Sequence, residues 1–115
     1  MIYFITALLL ILFVVRMIAS RPDVSPERVE ELLADGGMLI DVRTPPEYRA
    51  GHIESAVNLP LDTLPEGLNR LDIPVETPLL LCCVTGIRSA RGKGLLKKAG
   101  YLRVHNAGPV GRLKG

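Results

Sequence analysis

The 115-residue chain is 48 % hydrophobic and 23 % charged, the balance of a folded domain, and its length supports one small core, which excludes an enzyme of two lobes with a cleft between them. Both Phe fall within the first 13 residues and there is no Trp, so the body lacks the aromatic surface on which single-stranded nucleic acid stacks, and no nucleic-acid partner is expected. The net charge of +2 conceals a segregation: residues 21–76 carry twelve acids and five bases, net −7, whereas residues 77–115 carry eight bases and no acid. Such halves either pack with offsetting charges or leave a basic surface for an anion or acidic lipid.

Ile2 to Ala19 is apolar apart from Thr6 and Arg16, and its 18 residues make a helix of about 27 Å against a bilayer core of about 30 Å. Nothing basic precedes Ile2, and Met17-Ile18-Ala19 is not a small-x-small cleavage site. Residues 1–20 therefore read as an uncleaved single-pass anchor, ahead of a body over residues 21–115. Arg16, Arg21 and Arg28 on its C-terminal flank place that body on the cytoplasmic side. The alternatives are a poor signal peptide, whose removal leaves a periplasmic domain, and a soluble core helix.

After the linker Arg21 to Val24, Ser25 reads as an N-cap and Pro26 as the first residue of a helix, with Val29, Leu32 and Leu33 on one face and Gly36-Gly37 as the stop. Met38 to Val42 is a strand-length apolar run, Pro45 to Tyr48 a brief helical turn, and Ala56 to Leu59 a second strand. Leu61 to Leu71 reads as a short helix interrupted near Pro65. Pro78 to Cys82 is the most apolar strand, Ser89 to Ala99 a helix ended by Gly100, and Leu102 to Val104 a last strand. Apolar strands alternating with helices predict an α/β fold: a small open parallel sheet of four to five strands with helices on both faces, preceded by one hydrophobic N-terminal helix.

The chemistry is concentrated in Leu79 to Ser89, where a buried strand delivers a cysteine to the sheet edge, a tight loop containing Gly86 follows, and a helix begins. That arrangement aims backbone N–H groups and the positive end of a helix dipole at one point, where a thiolate is stabilised. Arg88 adds a fixed charge with a planar fork of donors. In the helix beyond, Gly92, Leu95, Leu96 and Ala99 share one face, and Gly92 permits close approach to the sheet.

These residues resemble a known family, the single-domain rhodaneses, which are sulfurtransferases. Cys83-Val84-Thr85-Gly86-Ile87-Arg88-Ser89 is similar to the family's Cys-x-x-Gly-x-Arg-Ser loop, and Asp41 to Tyr48 to its Asp-Val-Arg segment with the following Glu and aromatic. Gly51-His52-Ile53, with Ala56, Asn58 and Pro60, and later Ala99-Gly100-Tyr101 and Val104, extend the resemblance over roughly Ser25 to Gly108. Pro109, where family members often have a second glycine, departs from it.

The resemblance implies sulfane-sulfur transfer from a small anionic donor such as thiosulfate to a thiol, cyanide or an acceptor protein, through a persulfide on Cys83, with no cofactor or metal. Cys83 and Arg88 are the expected catalytic residues, and Val84, Thr85, Gly86, Ile87 and Ser89 the expected substrate-binding ones. Asp41, Arg43, Glu47 and His52 are expected to be structural near the site, with Arg43 paired to Glu47 and His52 hydrogen-bonded in its turn. The uncharged Val84, Thr85 and Ile87 leave the donor open. Counted from Cys82 instead, the interval to Arg88 has the length of a cysteine-phosphatase loop, but such loops usually place Gly three positions after the nucleophile, and Gly86 is three from Cys83. A non-catalytic persulfide carrier and a membrane-tethered docking module are the alternatives to an enzyme.

Overall fold

In the computed structural model, which describes residues 1–114, helix α1 (Ile2–Ala19) is followed by helix α2 (Pro26–Ala34), strand β1 (Met38–Asp41), helix α3 (Pro45–Arg49) and strand β2 (Val57–Asn58). A 3-10 turn (Leu61–Thr63), helix α4 (Glu66–Asn69), strand β3 (Leu79–Cys83), helix α5 (Ile87–Lys98), strand β4 (Val104–Pro109) and a closing 3-10 turn (Val110–Leu113) complete it. Local chemistry sets several of these boundaries. The Ser25 hydroxyl accepts from Arg28 N–H at 3.1 Å with Pro26 at the first helical position, and Thr44 and Glu47 close a reciprocal capping box at the start of α3.

All four strands are parallel, in the order β2-β1-β3-β4, with Asp41 opposite both Asn58 and Cys82. From β1 the chain moves outward to β2 on one side and then crosses to β3 on the other. The crevice beyond the carboxyl ends of β1 and β3 is therefore the topological switch point, where open α/β sheets hold their ligands. Alternation along the strands divides the core into two layers. Ile40, Val42, Leu79, Leu81 and Cys83 face Leu64, Leu68, Leu96 and Tyr101 on the side of α4 and α5. Leu39, Leu80, Cys82 and Ala107 face Val29 and Leu32 of α2, with Tyr48 of α3 at the margin.

Helix α5 and strand β4 differ from their sequence expectations. Helix α5 begins at Ile87 rather than Ser89, because Gly86 turns the chain in the left-handed region (φ 98°) and serves as N-cap itself. On α5, Gly92 and Leu96 are buried and Leu95 is partly so, but Ala99 has left the packed face and is exposed. Strand β4 runs Val104–Pro109, beyond the expected Leu102 to Val104. It is an edge strand paired only with β3, which tolerates Pro109, and it carries a bulge: Leu81 pairs with Asn106 but Cys82 with Gly108.

No residue of α1 is buried, and the molecule measures 52 Å along its longest axis against 31 and 27 Å across. Ser20, just past α1, is by contrast buried on the body.

Candidate active site

Cys83 is the last residue of β3, at the switch point, and its side chain lies in the α5-side core layer with no exposed surface. Its sulfur accepts the Gly86 N–H at 2.9 Å and lies 3.5 Å from the Ser89 hydroxyl. The backbone can fold back in this way because Gly86 has positive φ, and a Cβ there would stand 2.7 Å from the Ser20 carbonyl oxygen. Of the other loop amides, that of Ile87 turns to Thr85 Oγ1 at 3.5 Å. The first turn of α5 thus presents its amide end to a sulfur enclosed by protein. Val84, Thr85 and Ile87 hold their side chains outward, exposed.

Adjacent Cys82 has the opposite surroundings. It points into the α2-side layer, and burial, reinforced by the Asp41 carboxylate, pushes its thiol up to about 12. Both cysteines are free.

Arg88 and Glu47 meet across the mouth of the loop as a two-pronged pair, Nη1 to Oε1 at 2.6 Å and Nη2 to Oε2 at 3.0 Å. The Arg88 hydrogen bonds, then those from Thr44, lower the Glu47 carboxyl to about 2, and the same contact raises the Arg88 guanidinium. The expected pairing of Arg43 with Glu47 is therefore corrected. Arg43 bonds Asp41 instead, Nε to Oδ1 at 2.9 Å and Nη2 to Oδ2 at 2.7 Å, and Nη2 also reaches the Gly51 carbonyl at 2.8 Å. The reason is desolvation. Asp41 has no exposed surface, and a buried carboxylate needs a charged partner at hand, whereas Glu47 is partly exposed. Asn58 secures this corner by donating to the carbonyls of Asp41 and Arg43 at 2.9 and 3.0 Å.

His52 takes no part in the loop: its Nδ1 bonds the Tyr48 carbonyl at 2.8 Å and its ring stacks on Tyr48 with centroids 3.7 Å apart. Tyr48 in turn donates to the Ala56 carbonyl at 2.7 Å.

Sequence reasoning passed over Asn106. It is 2 % exposed, its Oδ1 accepts from the Ser89 hydroxyl at 2.6 Å and Gly108 N–H at 2.9 Å, and its amide donates to the carbonyls of Ser20, Arg21 and Gly86. The β4 bulge releases its side chain toward the loop. Ser89 has one hydroxyl hydrogen, so Asn106 Oδ1, the Gly86 carbonyl at 3.1 Å and the Cys83 sulfur are rival acceptors for it. Beside the loop lies a cavity of about 440 Å³ lined by Thr44, Asp62, Arg88 and Arg91, together with Val42 and Leu64 from the core layer of Cys83.

Comparison with known proteins agrees with the fold. The family model described as a rhodanese-like domain matches residues 25–107. The uncharacterized protein YqhL of Bacillus subtilis is 34 % identical over 102 residues, covering 82 % of this chain and 78 % of its own. The thiosulfate sulfurtransferase PspE of Escherichia coli is 33 % identical over 69 residues, covering 60 % of this chain and 66 % of its own. Among solved structures, a rhodanese with anions from E. coli superposes with a TM-score of 0.63 at 30 % identity, over 66 % of this chain and 89 % of that one.

Proposed function

The chain belongs to the rhodanese-like domain family, and from that premise we propose that it transfers sulfane sulfur from a donor such as thiosulfate to a thiol or cyanide acceptor through a persulfide on Cys83. The Cys83 thiolate attacks the outer sulfur of the donor, a new S–S bond forms, the S–S bond of thiosulfate breaks, and sulfite leaves with the electron pair. An acceptor thiolate or cyanide then attacks the outer sulfur of the persulfide, and the Cys83 thiolate is the leaving group. The observation that carries this reading is the Gly86 N–H directed at the Cys83 sulfur at 2.9 Å, at the amide end of α5. It gives the sulfur a backbone hydrogen-bond donor without an external cation. Arg88, oriented by Glu47, places a guanidinium at the mouth for an anionic donor. Thiosulfate as donor is supported by the name of the E. coli relative.

Mass spectrometry of the thiosulfate-treated protein tests it. One added sulfur is expected on the wild type and on Cys82→Ser and none on Cys83→Ser, and the sulfur should be discharged by cyanide. Loss of the adduct in Cys82→Ser alone, or hydrolysis of an aryl phosphate faster than sulfur transfer, refutes the assignment. A sulfur retained against both thiols and cyanide makes the domain a carrier.

For α1 the reading is a single-pass anchor over residues 1–20, with the catalytic body of residues 21–115 on the cytoplasmic side. Its support is a mean hydropathy of 2.6 over 18 residues with none buried against the body, and the arginines at positions 16, 21 and 28.

A further inference from the structure

The end of the apolar helix and the sulfur-bearing loop are fixed to each other. Ser20, the C-cap of α1, is 8 % exposed because it lies against the loop: the Asn106 amide donates to the Ser20 carbonyl at 3.0 Å and to the Gly86 carbonyl at 3.2 Å. There is no gap between the two segments, since a Cβ on Gly86 would fall 2.7 Å from the Ser20 oxygen. The next residues are held as well, with Arg21 O accepting from Asn106 at 3.3 Å and Asp23 N–H donating to Asn106 O at 2.9 Å. The catalytic edge of the sheet is therefore the edge from which α1 departs.

Bilayer dimensions then locate the loop. The hydrocarbon core is about 30 Å thick and the whole bilayer about 40–45 Å, which leaves a headgroup layer of about 5–8 Å on each side. A helix that crosses the core over Ile2–Ala19 ends at the base of that layer, and the loop in van der Waals contact with Ser20 lies within it. The loop's surface suits the place: Val84 and Ile87 are 49 % and 45 % exposed, two apolar side chains on either side of exposed Thr85, whose hydroxyl is at home among headgroups. Arg21 at the junction and Arg91 on the first turns of α5 are exposed beside it, where anionic headgroups attract them. Exposed Leu102 precedes β4, which runs parallel to β3, and so stands at the edge of the sheet opposite the loop that follows β3.

We propose that the Cys83 loop seats in the phospholipid headgroup layer through Val84 and Ile87, so that sulfur is loaded and discharged at the membrane surface. This rests on α1 being an anchor, and the experiment separates the two. The chain contains no Trp, so single substitutions Val84→Trp, Ile87→Trp, Leu102→Trp and Phe13→Trp each introduce a unique fluorophore into the full-length protein. In phospholipid vesicles with bromine near the top of the acyl chains, emission should be lost at positions 84, 87 and 13 and retained at 102. Quenching at 13 but at neither 84 nor 87 overturns the docking and leaves the anchor standing. Absence of quenching at 13 removes the anchor and the docking with it. Should a Trp variant fail to fold, the wild type in nanodiscs bearing gadolinium-chelating headgroups gives the same decision by NMR. Amide signals of residues 84–88 should broaden more than those of residues 100–103, and equal broadening overturns the proposal.

Discussion

Glu47 and Asp41 show how burial selects a partner. The family resemblance implies a structural pair of Arg43 with Glu47 at the end of β1. The fully buried Asp41 instead takes Arg43, and Glu47 is left to hold Arg88 from 41 positions away. A measurable pH dependence follows. The Glu47 carboxyl sits at about 2 in the folded chain, below its ordinary 4.5, so the pair stabilises the fold above pH 4.5 and that contribution is lost as pH falls toward 2. Thermal melting of the wild type should lose more over that interval than melting of Glu47→Gln, and equal losses would mean that the pair contributes nothing to stability. That Cys83 ends a strand, that Gly86 turns the chain and that a helix follows were legible in the sequence because the three are consecutive. Asn106 was not, because the side chain of an asparagine in an unremarkable stretch acquires its five hydrogen-bonding partners only from a bulge, a returning linker and the loop after β3.

The same division holds among the elements. Strands β1 and β3 were legible as continuous apolar runs, since parallel strands are buried on both faces. Most of β4 was not: Asn106-Ala107-Gly108-Pro109 has the composition of a loop and is a strand only because β3 offers it an edge. Helix α5 allows a sharper test through two glycines of similar backbone and opposite surroundings. A Cβ at Gly92 would stand 2.7 Å from Leu81 Cδ2, with Leu61 and Leu64 close behind, whereas at Gly94 nothing lies within 4 Å. Gly94→Ala should therefore stabilise the fold by about 0.5–1 kcal/mol through helix propensity. Gly92→Val should destabilise it by about 1–3 kcal/mol by forcing α5 off the sheet. Urea unfolding measures both, and a neutral Gly92→Val would mean that α5 does not owe its close approach to that glycine.

At the scale of the whole molecule, the charge segregation resolves into a mixture of its two readings. Part of the basic half is paired with the acidic half: Arg88 with Glu47, and Lys93 with Asp23, which also receives the Asn106 N–H. Lys97 and Lys98 end α5, at its negative pole and a helix length from the loop. Arg91 differs, being exposed and lining the cavity beside Arg88 with no salt bridge among the described residues. Steering of an anionic donor should therefore depend on few charges, chiefly Arg91, and be screened over about 8 Å at physiological salt. In vesicles of zwitterionic lipid, the second-order rate of transfer from thiosulfate should fall as inert salt is raised. Arg91→Gln should flatten that fall, Lys93→Gln should leave it in place because that ammonium is already neutralised by Asp23, and Arg88→Gln should lower the rate at every salt concentration. If the wild-type rate is independent of salt, or if Lys93→Gln flattens the curve as strongly as Arg91→Gln, the donor is not steered by the cavity wall, and the basic half serves to bind the acidic half and the bilayer.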